Sequence, residues 1–293
     1  MQFSIIIPTY NRPAQLQNCL QALCVQQYSL SAFEVIVVND GGRQQPDAVV
    51  AAFADRLNVK LVHQKNAGPG TARNHGASLA AGQYLLFTDD DCQPAAGWLQ
   101  AYAVAIADHP QHMLGGQTLN GLIANPYANA SQKLQSWFYD YCANHNPAML
   151  FFASNNLCLP RDKFIELGGF DTATLRYASE DRELCGRWRA AGHALIFADQ
   201  ALIYHYHPLH ALSYLAQHFS YGRGAYRLRV ARRKQGLPVL PGDPQWLLAS
   251  ISRYPLSEPD YINGLTVASL IICTHAANIL GYFYERIMNS CAD

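Results

Sequence analysis

Tyr84-Leu85-Leu86-Phe87-Thr88-Asp89-Asp90-Asp91-Cys92 is an apolar run that stops abruptly in three consecutive carboxylates. Four apolar or aromatic residues in a row read as a buried strand of a parallel sheet. Such a strand delivers the residues after it to the carboxyl edge, where open α/β sheets bind ligands. Adjacent like charges repel, so three acids there are tolerable in a solvated turn, with Asp as turn former and helix cap. They are useful when a divalent cation and a phosphorylated ligand neutralise them. On the triplet alone both readings stand.

Upstream the same arrangement recurs. Phe3-Ser4-Ile5-Ile6-Ile7-Pro8 is a β-branched run halted by proline and followed by the helical pattern Leu16, Leu20, Leu23. Phe33 to Val38 is a second buried strand, ending in Asn39-Asp40-Gly41-Gly42 before a helix through Val49, Phe53 and Leu57, and Lys60 to His63 is an edge-like third. Unbroken strand and helix alternation predicts a doubly wound, mostly parallel α/β sheet. Between the third strand and the acids, Asn66-Ala67-Gly68-Pro69-Gly70-Thr71-Ala72-Arg73-Asn74-His75-Gly76 is a Gly-rich loop running into a helix. A plain turn accounts for it. So does a phosphate site, because backbone can approach a ligand there and Arg73 is a fork-shaped cation suited to phosphate oxygens.

Downstream the pattern is harder to read. A helix through Trp98, Leu99, Tyr102 and Ile106 precedes residues 114–150, where a strand with turns and then a helix over Ser131 to Tyr141 are expected. Phe151 to Pro160 reads as a strand interrupted by Asn155 and Asn156, amides that are costly if buried without partners. A short helix follows in 161–170. Glu180-Asp181 opens a periodic helix, where two acids suit the helix dipole as simple caps. Residues 194–197 and 201–208 are strand-like. His205 and His207 alternate, so one strand would turn both to one side, which suits metal ligation and equally suits exposed imidazoles on an edge.

From about 213 the composition changes. Tyr221 to Lys234 packs six cations into a helical stretch, either a solvated basic face or a surface for anionic headgroups and phosphates. Residues 236–260 read as an extended loop. Gly264 to Tyr284 has the length of a bilayer span but contains Thr266, Ser269, Thr274, His275 and Asn278, which favours a packed or interfacial helix over a span.

The 293 residues, half of them hydrophobic, can bury a full core. Lys plus Arg equals Asp plus Glu at 21 each, so no global imbalance points to nucleic acid or an acidic partner. Eight scattered Cys without a Cys-x-x-Cys pair read as reduced packing residues. Without a basic region or cleavage pattern before Phe3, the catalytic part is expected to be cytoplasmic, at most at the inner face of the cell membrane.

In combination these segments resemble the family 2 inverting glycosyltransferases with the GT-A fold, over roughly residues 3–230. The matching segments, in order, are Ser4 to Arg12, Val38 to Gly42, Asn66 to Gly76, Asp89 to Asp91, and Gly169-Phe170-Asp171 followed by Glu180-Asp181. Asn39 stands where the family commonly has Asp. The resemblance implies a nucleoside-diphosphate sugar as donor and a glycan or lipid-linked acceptor, with Mg²⁺ or Mn²⁺ as cofactor. It implies that Pro8, Thr9, Tyr10, Arg12 and Asp40 lie around the nucleotide, with Arg73 near the diphosphate and Asp89 on the ribose. Asp90 would fill the variable slot and tolerate substitution. Asp91 with His205 or His207 would hold the cation, and Asp181 or Glu180 would be the general base.

Acceptor contacts are expected within 114–180 and 210–260, with Asn155, Asn156 and Asp171 as candidates. The expected organisation is a GT-A domain over 1–212, with a nucleotide-sugar half in 1–112 and an acceptor half in 113–212. A helical extension over 213–293 would touch the membrane peripherally. A sugar nucleotidylyltransferase would want a Gly-rich, cationic first loop, which Pro8-Thr9-Tyr10-Asn11-Arg12 does not supply. A non-catalytic sugar-nucleotide-binding subunit at the membrane would not need Asp91 and Asp181.

Overall fold

The computed structural model describes residues 1–175, 178–239, 243–253, 255 and 261–290. The chain divides into two compact units, one of Met1–Leu119 with Phe152–Tyr206, the other of Asn120–Phe151 with His207–Asp293.

The first unit is built on an eight-stranded sheet in the order β3-β2-β1-β4-β7-β6-β8-β5. Its strands are β1 (Phe3–Thr9), β2 (Phe33–Asn39), β3 (Val59–His63), β4 (Tyr84–Thr88), β5 (Cys92–Pro94), β6 (Met113–Asn120), β7 (Asn156–Pro160) and β8 (Leu195–His205). β1 and β2 are buried at every position, which is why they read as continuous apolar runs without alternation. Parallel pairing joins β3, β2, β1 and β4, with Ile6 level with Ile36 on one side and Phe87 on the other. Beyond β4 the described pairings are antiparallel, so the sheet is mixed. β7 enters beside β4 with Asn156 opposite Thr88, so the start of β7 meets the end of the strand that leads into the acids.

Helices α1 (Pro13–Leu23), α2 (Asp47–Ala51), α3 (Pro69–Ser78) and α4 (Trp98–Asp108) connect the strands of this half. α3 lies tight on the sheet: a Cβ on Gly76 would come within 2.6 Å of Ile6 Cγ2, so only glycine permits the approach. The core runs from Leu16, Leu20 and Leu23 of α1 through Ile5, Val35 and Leu86 to Trp98 and Tyr102 of α4. Two strand-like runs, 194–197 and 201–208, prove to be one strand, β8, with the exposed Asp199-Gln200 in its middle. A half-buried strand tolerates such a polar pair, and that is why the sequence looks broken there. β8 ends at His205, and His207 lies just past the strand. Short α6 (Arg161–Glu166) and α7 (Glu180–Ala190) complete the unit.

The second unit is helical, with α5 (Pro126–Asn144), α8 (Ala211–Lys234), α9 (Pro244–Leu248) and α10 (Tyr261–Ser290). Residues 236–260 are not wholly extended. Asp243 caps α9 by accepting from the backbone N–H groups of Gln245 and Trp246, and Trp246 meets Phe138 edge-on at 5.3 Å between ring centroids. The rest of that expectation falls partly on 240–242, 254 and 256–260, outside the described residues.

α8 and α10 run side by side in the same direction, Tyr214 meeting Leu270 and Thr274 at one end and Arg223 and Arg227 meeting Glu285 at the other. Two glycines set the spacing, because a Cβ on Gly222 would fall 2.0 Å from Asn278 O and one on Gly281 2.0 Å from Phe219 O. By length and composition, Gly264–Ser290 is the one described helix apolar enough to cross a membrane.

Candidate active site

The carboxyl ends of β1 and β4 lie next to one another, so the loop after β1 and the acids after β4 meet. Thr9 donates its hydroxyl to Asp90 Oδ2 at 2.7 Å. Arg12, just before α1, donates from Nη1 to Asp91 Oδ2 at 2.8 Å and more distantly to Asp90 Oδ1 at 3.3 Å. β5 pairs with β8 so that Cys92 is level with His205, which brings His205 Nε2 to 3.3 Å from Asp91 Oδ1. Burial pushes the Asp90 carboxyl up to about 7, against the opposing charge of Arg12, while Asp91 beside it pushes the same way as burial. Partial burial of His205 works against its protonation, but the hydrogen bond and charge of Asp91 outweigh this and raise its pKa. Asp91 and His205 therefore offer an oxygen and a nitrogen on one small site, a donor set that suits a borderline divalent cation such as Mn²⁺. His207 is half-buried and opens the second segment of the second unit.

A second cluster adjoins the first through Asp89. The Gly-rich loop turns at Gly68, whose φ of 93° belongs to the left-handed side, and α3 starts at Pro69. One turn in, Arg73 is almost wholly buried. It donates from Nη2 to Asp89 Oδ1 at 2.6 Å and from Nη1 to Glu180 Oε1 at 3.3 Å, leaving its Nε without a partner. Burial pushes Glu180 up to about 7, Asp181 adds to the shift and Arg73 opposes it. Burial also raises Asp181, against the charge of Arg182.

Ser179, which precedes α7, sits at φ 72° and makes no capping bond. A left-handed serine costs on the order of 1 kcal/mol, and such strain is held where the surrounding structure fixes the backbone to place the next residues along. Asn74 holds the facing loop by clasping Phe170 through both N–H and C=O at 2.9 Å.

Several expected site residues turn out to hold the frame. Both oxygens of Asp40 are taken, by Gln64 Nε2, Asn66 Nδ2 and the backbone N–H groups of Ala67 and Gly68, all within 3.1 Å. Asp40 thus fixes the Gly-rich loop and has no oxygen left uncommitted for a base. Asn39, the departure from the family pattern, bonds Gln45, His63 and Gly42. Asn156, expected as an acceptor contact, is bonded within the core instead of being left free. Its Oδ1 accepts from Trp98 Nε1 and Tyr102 OH, and its Nδ2 donates to Gln117 O and Ala201 O, which uses every valence of the amide inside the core.

Asp171 accepts from the backbone of Ala173 and Thr174, an Asx turn. Asn155 is buried with its Oδ1 unpartnered. Pro8 is buried in β1, and Tyr10 is half exposed. Asp90, expected to be dispensable, is the middle of the acid network. Sequence reasoning missed Gln64, Asn66, Trp98 and Tyr102 as polar partners; only the cost of burying Asn155-Asn156 signalled that partners had to exist.

The model of the family described as Glycosyl transferase family 2 matches residues 4–167, more than half of the chain. The chain belongs to glycosyl transferase family 2. Among its relatives in that family, the validoxylamine A glucosyltransferase of Streptomyces hygroscopicus subsp. jinggangensis is 31% identical over 218 residues, covering 64% of this chain and 51% of the relative. The chondroitin synthase of Escherichia coli is 27% identical over 238 residues, covering 70% of this chain and 34% of the relative. The chain thus spans about half the length or less of these relatives.

Among solved structures, the mannosyltransferase PcManGT of Pyrobaculum calidifontis, in complex with GDP-Man and Mn²⁺, superposes with a TM-score of 0.62 at 17% identity, covering 99% of this chain and 80% of that one. Residues 1–349 of S. aureus TarS, in complex with UDP-GlcNAc, give 0.59 at 19% identity, covering 99% and 92%. These likenesses establish the GT-A fold for this family 2 chain.

Proposed function

We propose that this family 2 protein transfers a sugar from a nucleoside diphosphate to a hydroxyl of a cell-envelope glycan or lipid-linked acceptor, by a single inverting displacement that depends on a divalent cation. The observation that carries the reading is the continuity of the two clusters. The acids after β4 are joined through Asp89 and Arg73 to Glu180 and Asp181 at the start of α7, so leaving group and acceptor face one charged seam. The mannosyltransferase bound to GDP-Man and Mn²⁺ and TarS bound to UDP-GlcNAc support a sugar-nucleotide donor, and they differ in base and sugar.

In this reading Asp91 and His205 hold the cation, with His207 two residues along the chain as a further ligand. The cation supplies neutralisation of the charge that develops on the departing diphosphate. Thr9, Tyr10 and Arg12 line the nucleotide, while Asp40 keeps the Gly-rich loop shaped for it. Asp89 takes the ribose, and Arg73, buried and incompletely bonded, adds positive charge beside the phosphates.

The acceptor hydroxyl loses its proton to a carboxylate as it attacks, a contribution of about 10²–10⁴ in rate. Asp181 is the better placed of the two acids for this, because it is half-buried whereas Glu180 is tied to Arg73. Asn155 and Asp171 remain on the acceptor side. The protein works at the cytoplasmic face of a membrane, which it touches through 213–293. Incubation with a panel of labelled sugar nucleotides and Mn²⁺, with and without chelator, tests the proposal. Transfer or slow hydrolysis that stops on chelation and in Asp91→Asn is expected, and activity indifferent to both overturns it.

A further inference from the structure

The solvent face of α10 is more apolar than its buried face. Turned inward are Thr274, Gly281 and Glu285 together with Val267 and Ile271. Turned outward are Ile272, Ile279, Leu280, Phe283 and Ile287, each at least 50% exposed. They recur after one or two helical turns and make one stripe, about 22 Å long at ~1.5 Å rise per residue. A helix that serves only to cover a core shows the reverse arrangement, so this stripe is a contact surface. Leu215 and Phe219 of α8 join Cys273, Ala276 and Leu280 in a shallow apolar groove beside it.

The charge around the stripe has one sign. The second unit carries nine Lys and Arg against six Asp and Glu, whereas the first carries twelve against fifteen. α8 has no acid, and the one acid of α10, Glu285, is buried between Arg223 and Arg227. Arg229, Arg233, Lys234 and Arg286 are exposed toward the end to which both helices run. An apolar stripe ending in exposed cations matches acyl chains beneath anionic headgroups. A second copy of the chain would bring an apolar stripe but, among the described residues of α8 and α10, no exposed acid to meet those cations.

We infer that α10 lies flat in the interface of an anionic bilayer, its Ile272 to Ile287 stripe among the acyl chains and the cations on lipid phosphates. It does not span. α10 is fastened to α8 by the paired glycines and by the Glu285 ion pairs. Crossing a bilayer would carry two guanidinium groups into hydrocarbon or tear Glu285 from them. This deepens the membrane contact proposed above and is independent of the donor chemistry.

The test is flotation of the full chain with phosphatidylcholine vesicles, with and without phosphatidylglycerol. Binding that requires phosphatidylglycerol, falls from about 0.1 M to about 1 M salt and is released by carbonate is expected. Ile279→Glu and Phe283→Glu should each lower it at least about tenfold, given the transfer free energy of one large apolar side chain. Arg233→Glu with Lys234→Glu should remove the dependence on phosphatidylglycerol. All variants should keep the unfolding midpoint and sugar-nucleotide binding of the parent, while Asp91→Asn should leave flotation unchanged, so the membrane and donor readings fail separately. Absence of flotation, resistance to carbonate, or a dimer dissolved by Ile279→Glu would each overturn the inference.

Discussion

At the scale of single residues, charge next to charge decides the behaviour of the acidic edge. Asp90 has no work assigned from the sequence, yet it accepts from Thr9 and Arg12 and lies deepest of the three. Asp90→Ala should cost about 1–2 kcal/mol in urea unfolding, the penalty for leaving the buried Thr9 hydroxyl without its partner and Arg12 with Asp91 alone. Glu180 carries the pH dependence of the second cluster. Its carboxyl is raised to about 7, so the ionised form grows as pH rises through neutrality. The added charge beside Asp181, the proposed base, makes it more basic, so kcat/KM should climb across that range, and Glu180→Gln should remove the step from the profile. Its effect on stability has the opposite sign. The folded chain holds this proton more tightly than the unfolded one, so its contribution declines as pH rises from about 4.5 through about 7, and the Gln variant should flatten the curve of melting temperature against pH.

At the scale of elements, alternation made β1, α1, β2 and α3 legible because each is local and fully committed to the core. Features settled by distant partners were not legible. Asn155-Asn156 announced a cost, but nothing in the chain says that Trp98 and Tyr102, more than fifty positions earlier, discharge part of it. Asn156→Ala strands those donors and two carbonyls, and should cost about 3 kcal/mol in denaturant unfolding while leaving acceptor KM unmoved. In the same way, no periodicity reveals that Gly222 and Gly281 let two backbones touch. Gly222→Ala or Gly281→Ala should force α8 and α10 apart and cost about 1–3 kcal/mol, read as an earlier unfolding transition.

At the scale of the molecule, the parallel half of the sheet and the family followed from the ordered motifs, whereas strand order beyond β4 did not. β7 lies between β4 and β6, and β5 pairs with β8 rather than with β4, which precedes it. Such non-local pairing leaves no trace in composition. A cation site assembled from Asp91 and His205 joins strands far apart in sequence, so occupancy should be felt by the whole fold. Mn²⁺ at about 100 times its dissociation constant should add about 2.7 kcal/mol to unfolding, and Asp91→Asn should abolish the shift in a thermal melt.

The position of β7 also bears on where the chain can be cut. The stretch 1–112 supplies β1 to β4, but the outer neighbour of β4 arrives only at Asn156–Pro160. A fragment ending at 112 would keep the acids and the Gly-rich loop while leaving Tyr84 to Thr88 as a bare, apolar edge. Open edges of that kind recruit strands from other molecules, so this fragment would precipitate rather than bind nucleotide. The first half of the sheet is therefore not an autonomous folding unit.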